Sequence, residues 1–430
     1  MNLLINILRN ISAMLVTAPM IFIIIALAVF LYSKNKKIIY MQKLICGGSV
    51  NSCMELTLSQ LVLGVIGGCV GSIILCMAGV VFENSYTIVL IFLVSIILLN
   101  IKPKFICFSY SGAVIGCISI FIELLEKMGI YIENSQYFKV DIMPLMMFVG
   151  IMHIVEGFLV MLDGHRGAVP VFGEKDGKIF GGYSLRRYWT VPIIMITTSS
   201  LNNSVFNSSV VYEIPNWWAS IPYMNMAVIG SAVGLMLLNF FGVIGYSSVT
   251  FTRNKHEKAV LSGCFIAAFG VVLTIVSQLA SLGIIGQIIV VILAPIGHEL
   301  IFKLQSMDEN RREPKFISNT NGLAVLETAE DSVLKEHGIE IGSRILSVNN
   351  QKVSSEQDIY SAIKENLYNA VIEIMDSKGF IKEIKFRHKK NSRLGIVVVP
   401  EAVKKEDVVE INSESFKNIL EEIKKKHNKI

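Results

Sequence analysis

The sequence predicts two fold classes in one chain: an α-helical polytopic transmembrane bundle over residues 1–303, followed by a small α+β domain. Three observations carry this reading. The chain has 430 residues and a mean hydropathy of +0.57, and its apolar residues lie in long runs that end near residue 303. Residues 1–303 hold 18 Lys+Arg and 13 Asp+Glu, whereas residues 304–430 hold 21 of each, so the net charge of +5 sits in the apolar part. Beyond residue 303 the pattern changes to short strand-like and helix-like segments broken by turn residues. A charge-balanced soluble domain argues against a nucleic-acid partner, which favours a basic face.

A helix needs about 20 apolar residues to cross a bilayer. The sequence gives about nine candidate spans: 11–32, 58–82, 86–101, 105–125, 142–162, 189–205, 222–244, 259–280 and 283–303. The third is short, and the polar run Thr197 to Asn203 weakens the sixth. No small-residue cleavage site follows Ile11 to Tyr32, so this run reads as a span and not as a removable signal. The loops at 33–57, 102–104, 163–188 and 245–258 carry 4, 2, 5 and 3 Lys+Arg. The alternate loops at 83–85, 126–141, 206–221 and 281–282 carry 0, 2, 0 and 0. The positive-inside rule then predicts a multi-pass cell-membrane protein with its N-terminus outside and its C-terminus in the cytoplasm. Trp217 and Trp218 are expected at the outer interface, where amphipathic rings are favoured.

All seven cysteines lie before residue 303, at spacings that match no zinc or disulfide pattern, and they read as apolar filling of helices. The ionisable residues inside spans are Glu123, His153, Glu156, His298 and Glu299. Such groups are costly in hydrocarbon and are functional candidates for that reason. His153 and Glu156 share one helix face. His298-Glu299 begins a His-Glu-x-x-His metalloprotease pattern, but Phe302 stands where the second imidazole belongs. Leu162-Asp163-Gly164 is similar to a third-ligand motif of intramembrane metalloproteases, although three residues carry little information. The expectation is that these groups hydrogen-bond between helices, with no catalytic residue, metal or cofactor. In the basic loop after residue 163, Val169 to Phe172 and Lys178 to Phe180 could pair as a hairpin around Asp176-Gly177. Its glycines fit no phosphate-cradling pattern. Arg186, Arg187 and Trp189 suit an interfacial anchor, and partner docking is the other reading of this loop.

The soluble part divides into a linker at 304–320, a domain at 321–400 and a charged tail at 401–430. Within the domain come Gly322-Leu323-Ala324-Val325-Leu326, then Ser332-Val333-Leu334, then Gly338-Ile339-Glu340-Ile341-Gly342-Ser343, and then Arg344-Ile345-Leu346-Ser347-Val348-Asn349-Asn350. This order resembles a PDZ domain, with Ser343 where that family usually has Asp. The carboxylate-binding loop that opens animal PDZ domains is missing before Gly322. A similar string, Arg393-Leu394-Gly395-Ile396-Val397-Val398, stands at the other end. The resemblance therefore implies a circularly permuted bacterial-type PDZ domain whose last strand forms the groove floor. The other wall is expected to be a helix from Ser355 to Leu367, with Ile359, Ala362 and Ile363 on one face. A peptide would add as a strand beside Ile396 to Val398, and amides near Leu394 to Ile396, aided by Arg393, would hold its carboxylate. The same segment also reads as a closing core strand that binds nothing. In the tail, Phe416, Ile419, Leu420 and Ile423 share a helical face, ahead of Lys424-Lys425-Lys426.

The whole plan, with several spans, a Gly-rich basic loop and a terminal PDZ-like domain, resembles the MinJ family of Gram-positive cell-division topological determinants. That resemblance implies a non-enzymatic scaffold in the lipid bilayer, with partners of the DivIVA and MinC/MinD type and enrichment at septum and poles. The competing classes are a membrane protease or protease regulator that senses substrate ends, and a transporter with a regulatory domain. The absence of a complete metal motif disfavours the first, and the lack of an inverted repeat disfavours the second.

Overall fold

The structure, a computed structural model, describes residues 2–83, 86–101, 107–175, 178–199, 215, 216, 218, 234–319, 322–388 and 393–401. The chain forms two compact units: Met1–Val171 with Gly182–Lys315, and Phe172–Gly181 with Phe316–Ile430. The second unit thus takes in a short piece of the basic loop as well as the C-terminal segment.

Five helical segments in the first unit are long and apolar enough to cross a membrane, or six crossings result if a bent pair at the N-terminus counts as one. That pair is α1 (Asn2–Val16) and α2 (Met20–Cys46), which meet at 68°. The span expected at 11–32 is therefore broken. Pro19 lacks an N–H and disfavours helical backbone at the residue before it, which ends α1. α2 then runs on through Lys34, Lys36, Lys37 and Lys43, where a loop was expected. The next helix, α3 (Cys53–Met77), starts at a capping box in which the Glu55 N–H donates to Ser52 Oγ at 3.0 Å. After the two-residue strand β1 (Val81–Phe82) come α4 (Tyr86–Ile101), α5 (Phe108–Lys127) and α6 (Ile142–Asp163). Two further long helices, α7 (Lys255–Val276) and α8 (Ile284–Arg311), end the unit.

The spans expected at 189–205 and 222–244 are not helices where the structure describes them. Residues 178–199 and 234–250 form the strands β3 (Lys178–Ser199) and β4 (Gly234–Thr250), preceded by β2 (Val169–Lys175). β3 and β4 pair antiparallel without a break from Tyr183↔Thr250 to Ser199↔Gly234. The run Tyr188-Trp189-Thr190-Val191 and the later Ile-Met-Ile-Thr-Thr are aromatic and β-branched, which favours strand. Both segments are also rich enough in apolar residues to pass as a buried helix, so hydropathy alone could not separate the two.

Small residues on α3 receive the ribbon. A Cβ on Gly64 would lie 2.0 Å from Thr190 O, and one on Gly68 would lie 2.0 Å from Pro192 O. One turn further, Ser72 Oγ accepts a hydrogen bond from Ile194 N at 3.0 Å. Four residues of helix therefore match two of strand, and β3 runs along α3 in the same direction. The adjacent stripe of α3, Gly67 and Gly71, meets Val155 and Leu159 of α6. α6 and α7 approach even more closely, since a Cβ on Gly157 or Gly263 would lie 2.5 Å from the facing carbonyl. Leu3, Ile7, Ile11 and Met14 of α1 share a core with Ile194, Ile196, Leu235 and Phe241 of the ribbon and with Cys76 of α3. Trp218, expected at an interface, is fully buried in this core and donates Nε1–H to Cys76 O at 3.1 Å. Trp217 lies outside the described residues.

The second unit is a sheet with strand order β10-β9-β7-β6-β11, with β8 added to β7. In chain order it contains β5 (Phe316–Ile317), β6 (Leu323–Thr328), the one-turn helix α9 (Val333–Glu336), β7 (Arg344–Val348), β8 (Gln351–Lys352), helix α10 (Glu356–Glu365), β9 (Ala370–Met375), β10 (Ile381–Phe386) and β11 (Ile396–Val398). Asn349 and Asn350 both have positive φ and close a two-residue hairpin between β7 and β8. The Asn349 side chain ties this hairpin to α10 and β9: it donates to Ala362 O at 2.7 Å and accepts from Val371 N at 2.9 Å. One sheet face and α10 enclose a core of Val325, Ile345, Val348, Ile372, Ile396 and Val398 with Ile359, Ala362 and Ile363. From the basic loop, Phe180–Gly181 pairs with Phe316–Ile317, and Gly181 lies against Leu326 and Val399. The turn expected at Asp176-Gly177 and the tail after Glu401 lie outside the described residues.

Candidate functional site

The sequence places a peptide groove between 393–398 and the helix after Ser355. The structure brings these segments together. Ser355 caps α10 by accepting from the Asp358 N–H at 3.2 Å, and the Asp358 carboxylate accepts from Ser354 Oγ at 2.7 Å and Ser354 N at 3.0 Å. These bonds to Ser354 hold the Asp358 carboxyl below its ordinary range. β11 pairs antiparallel with β6, Ile396 opposite Thr328 and Val397 opposite Glu327, and ends the strand order. Its second edge forms no ladder with another strand among the described residues.

The side chains sort differently from the sequence expectation. Ile359, Ala362 and Ile363 are at most 2% exposed and belong to the core, as do Leu394, Ile396 and Val398. Val397 is also buried, while Arg393 is exposed. Facing the loop before β11 is Tyr360, one position from the expected face. Its hydroxyl accepts the Leu394 N–H at 2.9 Å. Burial pushes the neighbouring Glu356 carboxyl above its ordinary value, and the Arg393 guanidinium opposes that shift. Gly395 has a φ of 68°, and a Cβ there would lie 2.9 Å from the Ser332 side chain. Ser332 Oγ also donates to Leu394 O at 2.7 Å. The turn entering β11 is thus held from both sides, and Gly395 is required by backbone conformation and space.

A second polar constellation lies in the first unit. His153 on α6 donates from Nδ1 to Val149 O at 2.7 Å. Its Nε2 is 3.1 Å from Cys107 Sγ and 3.1 Å from Ser109 Oγ, at the start of α5. His298 of α8 stands edge-to-face with His153, with ring centroids 5.6 Å apart. Cys107, His153 and His298 each offer a ligating atom within 4.8 Å of the other two. Phe302, at the place of the missing second imidazole, packs edge-on against His298 at 4.9 Å. Glu299 is exposed and accepts a hydrogen bond from Tyr110. Glu123 pairs with Lys127 at 2.8 Å, and Glu156 is buried one turn beyond His153.

Asp163 has a separate role. Its carboxylate accepts from Arg187 Nε at 2.9 Å, Trp189 Nε1 at 2.9 Å and Ser59 Oγ at 3.3 Å. Arg187 and Asp163 are both fully buried. A carboxylate committed to three donors ties α3, α6 and β3 together. Arg187 and Trp189 are thus core residues and not interfacial anchors, whereas Arg186 is exposed. Compared with known protein families, curated proteins and solved structures, the chain matches none.

Proposed function

We propose that the chain is a non-enzymatic, membrane-held adaptor whose C-terminal unit is a circularly permuted PDZ-type module. The observation that carries the reading is β11, a strand paired on one edge only among the described residues and entered through the Leu394–Gly395 turn beside α10. An extended peptide would add to that open edge through main-chain hydrogen bonds. Its terminal carboxylate would lie at the Arg393–Ile396 turn, near the exposed Arg393 guanidinium. The resemblance to the MinJ family supports a place in division-site selection, with DivIVA-type and MinC/MinD-type proteins as recruited partners. The C-terminus and the module would face the cytoplasm, with enrichment at septum and poles.

A fluorescent fusion in dividing cells tests the cellular reading. Septal and polar foci are expected, together with recruitment of a tagged partner. A uniform membrane ring, with partners unmoved on deletion of 316–430, would contradict it.

A further inference from the structure

We propose that Cys107, His153 and His298 form a binding site for Zn2+ that joins α5, α6 and α8. The donor set is one thiol and two imidazoles, which suits a borderline-soft d10 cation. The three ligating atoms already lie within 4.8 Å of one another. Around a tetrahedral zinc, with bonds of about 2.0–2.3 Å, neighbouring ligand atoms sit roughly 3.3–3.8 Å apart. Small side-chain shifts would reach that geometry, starting from a Cys107–His153 separation of 3.1 Å.

Three further features point to a ligand. The Nδ1–H of His153 is used on Val149 O, which fixes the tautomer and leaves the Nε2 lone pair facing Cys107 and Ser109. A backbone carbonyl on the distal ring nitrogen is the usual outer-shell arrangement of a metal-bound histidine. His298 is 7% exposed, and its Nδ1 is buried without a hydrogen-bond partner among the described residues. An imidazole buried in that way is costly unless something binds it. The surroundings are apolar and aromatic, with Phe269 5.1 Å from the His153 ring and Phe302 4.9 Å from the His298 ring. Such a shell limits water access and strengthens metal–ligand electrostatics. Ser109 Oγ lies 3.1 Å from His153 Nε2, beside the three donors. Binding would release the Cys107 proton to solvent and leave thiolate and neutral imidazoles on the ion.

Cobalt provides the readout. The purified full-length chain in detergent, stripped with a chelator, is titrated with Co2+ under reducing, oxygen-free conditions. The expected result is one Co2+ per chain, a thiolate-to-cobalt charge-transfer band, and loss of that band when Zn2+ is added. Cys107→Ser should abolish the band, while Cys117→Ser and Cys264→Ser should keep it. His153→Gln and His298→Gln should each weaken Co2+ binding at least tenfold. No charge-transfer band in the unmutated chain would overturn the proposal without appeal to any variant. A band that survives Cys107→Ser, or binding unchanged by His298→Gln, would overturn it as well.

Discussion

At Leu394 the backbone N–H that a peptide carboxylate would use already donates to the Tyr360 hydroxyl at 2.9 Å. In the proposed groove Tyr360 therefore competes with ligand. Tyr360→Phe frees that amide, and peptides with a free C-terminal carboxylate should bind several-fold more tightly, as read by fluorescence anisotropy on the full chain. Weaker binding would give the hydroxyl a positive role in recognition. The sequence pointed one residue away because helical periodicity selects the apolar face, Ile359, Ala362 and Ile363, which fills the core. A half-exposed Tyr between such residues has no periodic signal. The same region has a signed pH dependence. Bonds from Ser354 depress the folded-state pKa of Asp358, and the Phe380 N–H does the same for Asp376. Their stabilisation is in place above the ordinary carboxylate range and is lost as pH falls through the depressed folded values. Glu356 is raised by burial, so its cost appears as pH rises from its ordinary value to its folded one. Glu356→Gln should therefore slow hydrogen exchange in β6 and β9 at neutral pH and leave it unchanged at acidic pH.

The long helices are the elements that the sequence shows best. α3, α5, α6, α7 and α8 each overlap an expected span, because hydropathy sustained over about 20 residues is the mark of a helix that can cross a bilayer. The β3–β4 ribbon was hidden for the complementary reason: its strands are as apolar as a span, and neither alternation nor length separates them. What the sequence does carry is the surface that receives the ribbon. The string Gly64-Val-Ile-Gly67-Gly68-Cys-Val-Gly71-Ser72 gives α3 two small-residue stripes, one for β3 and one for α6. Gly68→Leu should push α3 off Pro192 and abolish accumulation of folded protein, whereas Val62→Leu on the exposed side of α3 should be neutral. Gly157→Leu should separate α6 from α7 with a similar loss. Size-exclusion profiles in detergent report both outcomes, and a monodisperse Gly68→Leu protein would contradict the packing described here. The cysteine–histidine cluster was equally invisible as a motif. Its members come from the starts or middles of three helices, so no fixed spacing exists to find.

At the scale of the whole molecule, the change from apolar runs to balanced charge near residue 303 was plain. The partnership of Phe172–Gly181 with the C-terminal unit was not, because pairing of Phe180–Gly181 with Phe316–Ile317 joins segments far apart in sequence. The orientation proposed from loop charge predicts opposite signals from topology reporters placed after residue 401 and within 126–141, between α5 and α6, with the C-terminal reporter cytoplasmic. An external C-terminal signal would reverse the proposed topology and remove cytoplasmic partners from reach. The central claim, that the open edge of β11 receives a chain end, is tested most directly by peptide binding to the intact protein. A library of peptides with randomised C-termini is offered to the full chain in detergent, in free-acid and amidated forms. The account predicts that selected free-acid peptides bind, that their amides bind at least tenfold more weakly, and that Arg393→Glu removes the difference. Arg393 is the suitable probe because it is exposed, whereas a change at Gly395 would strain the turn itself. Equal binding of acid and amide forms, or no selected peptide at all, would contradict it.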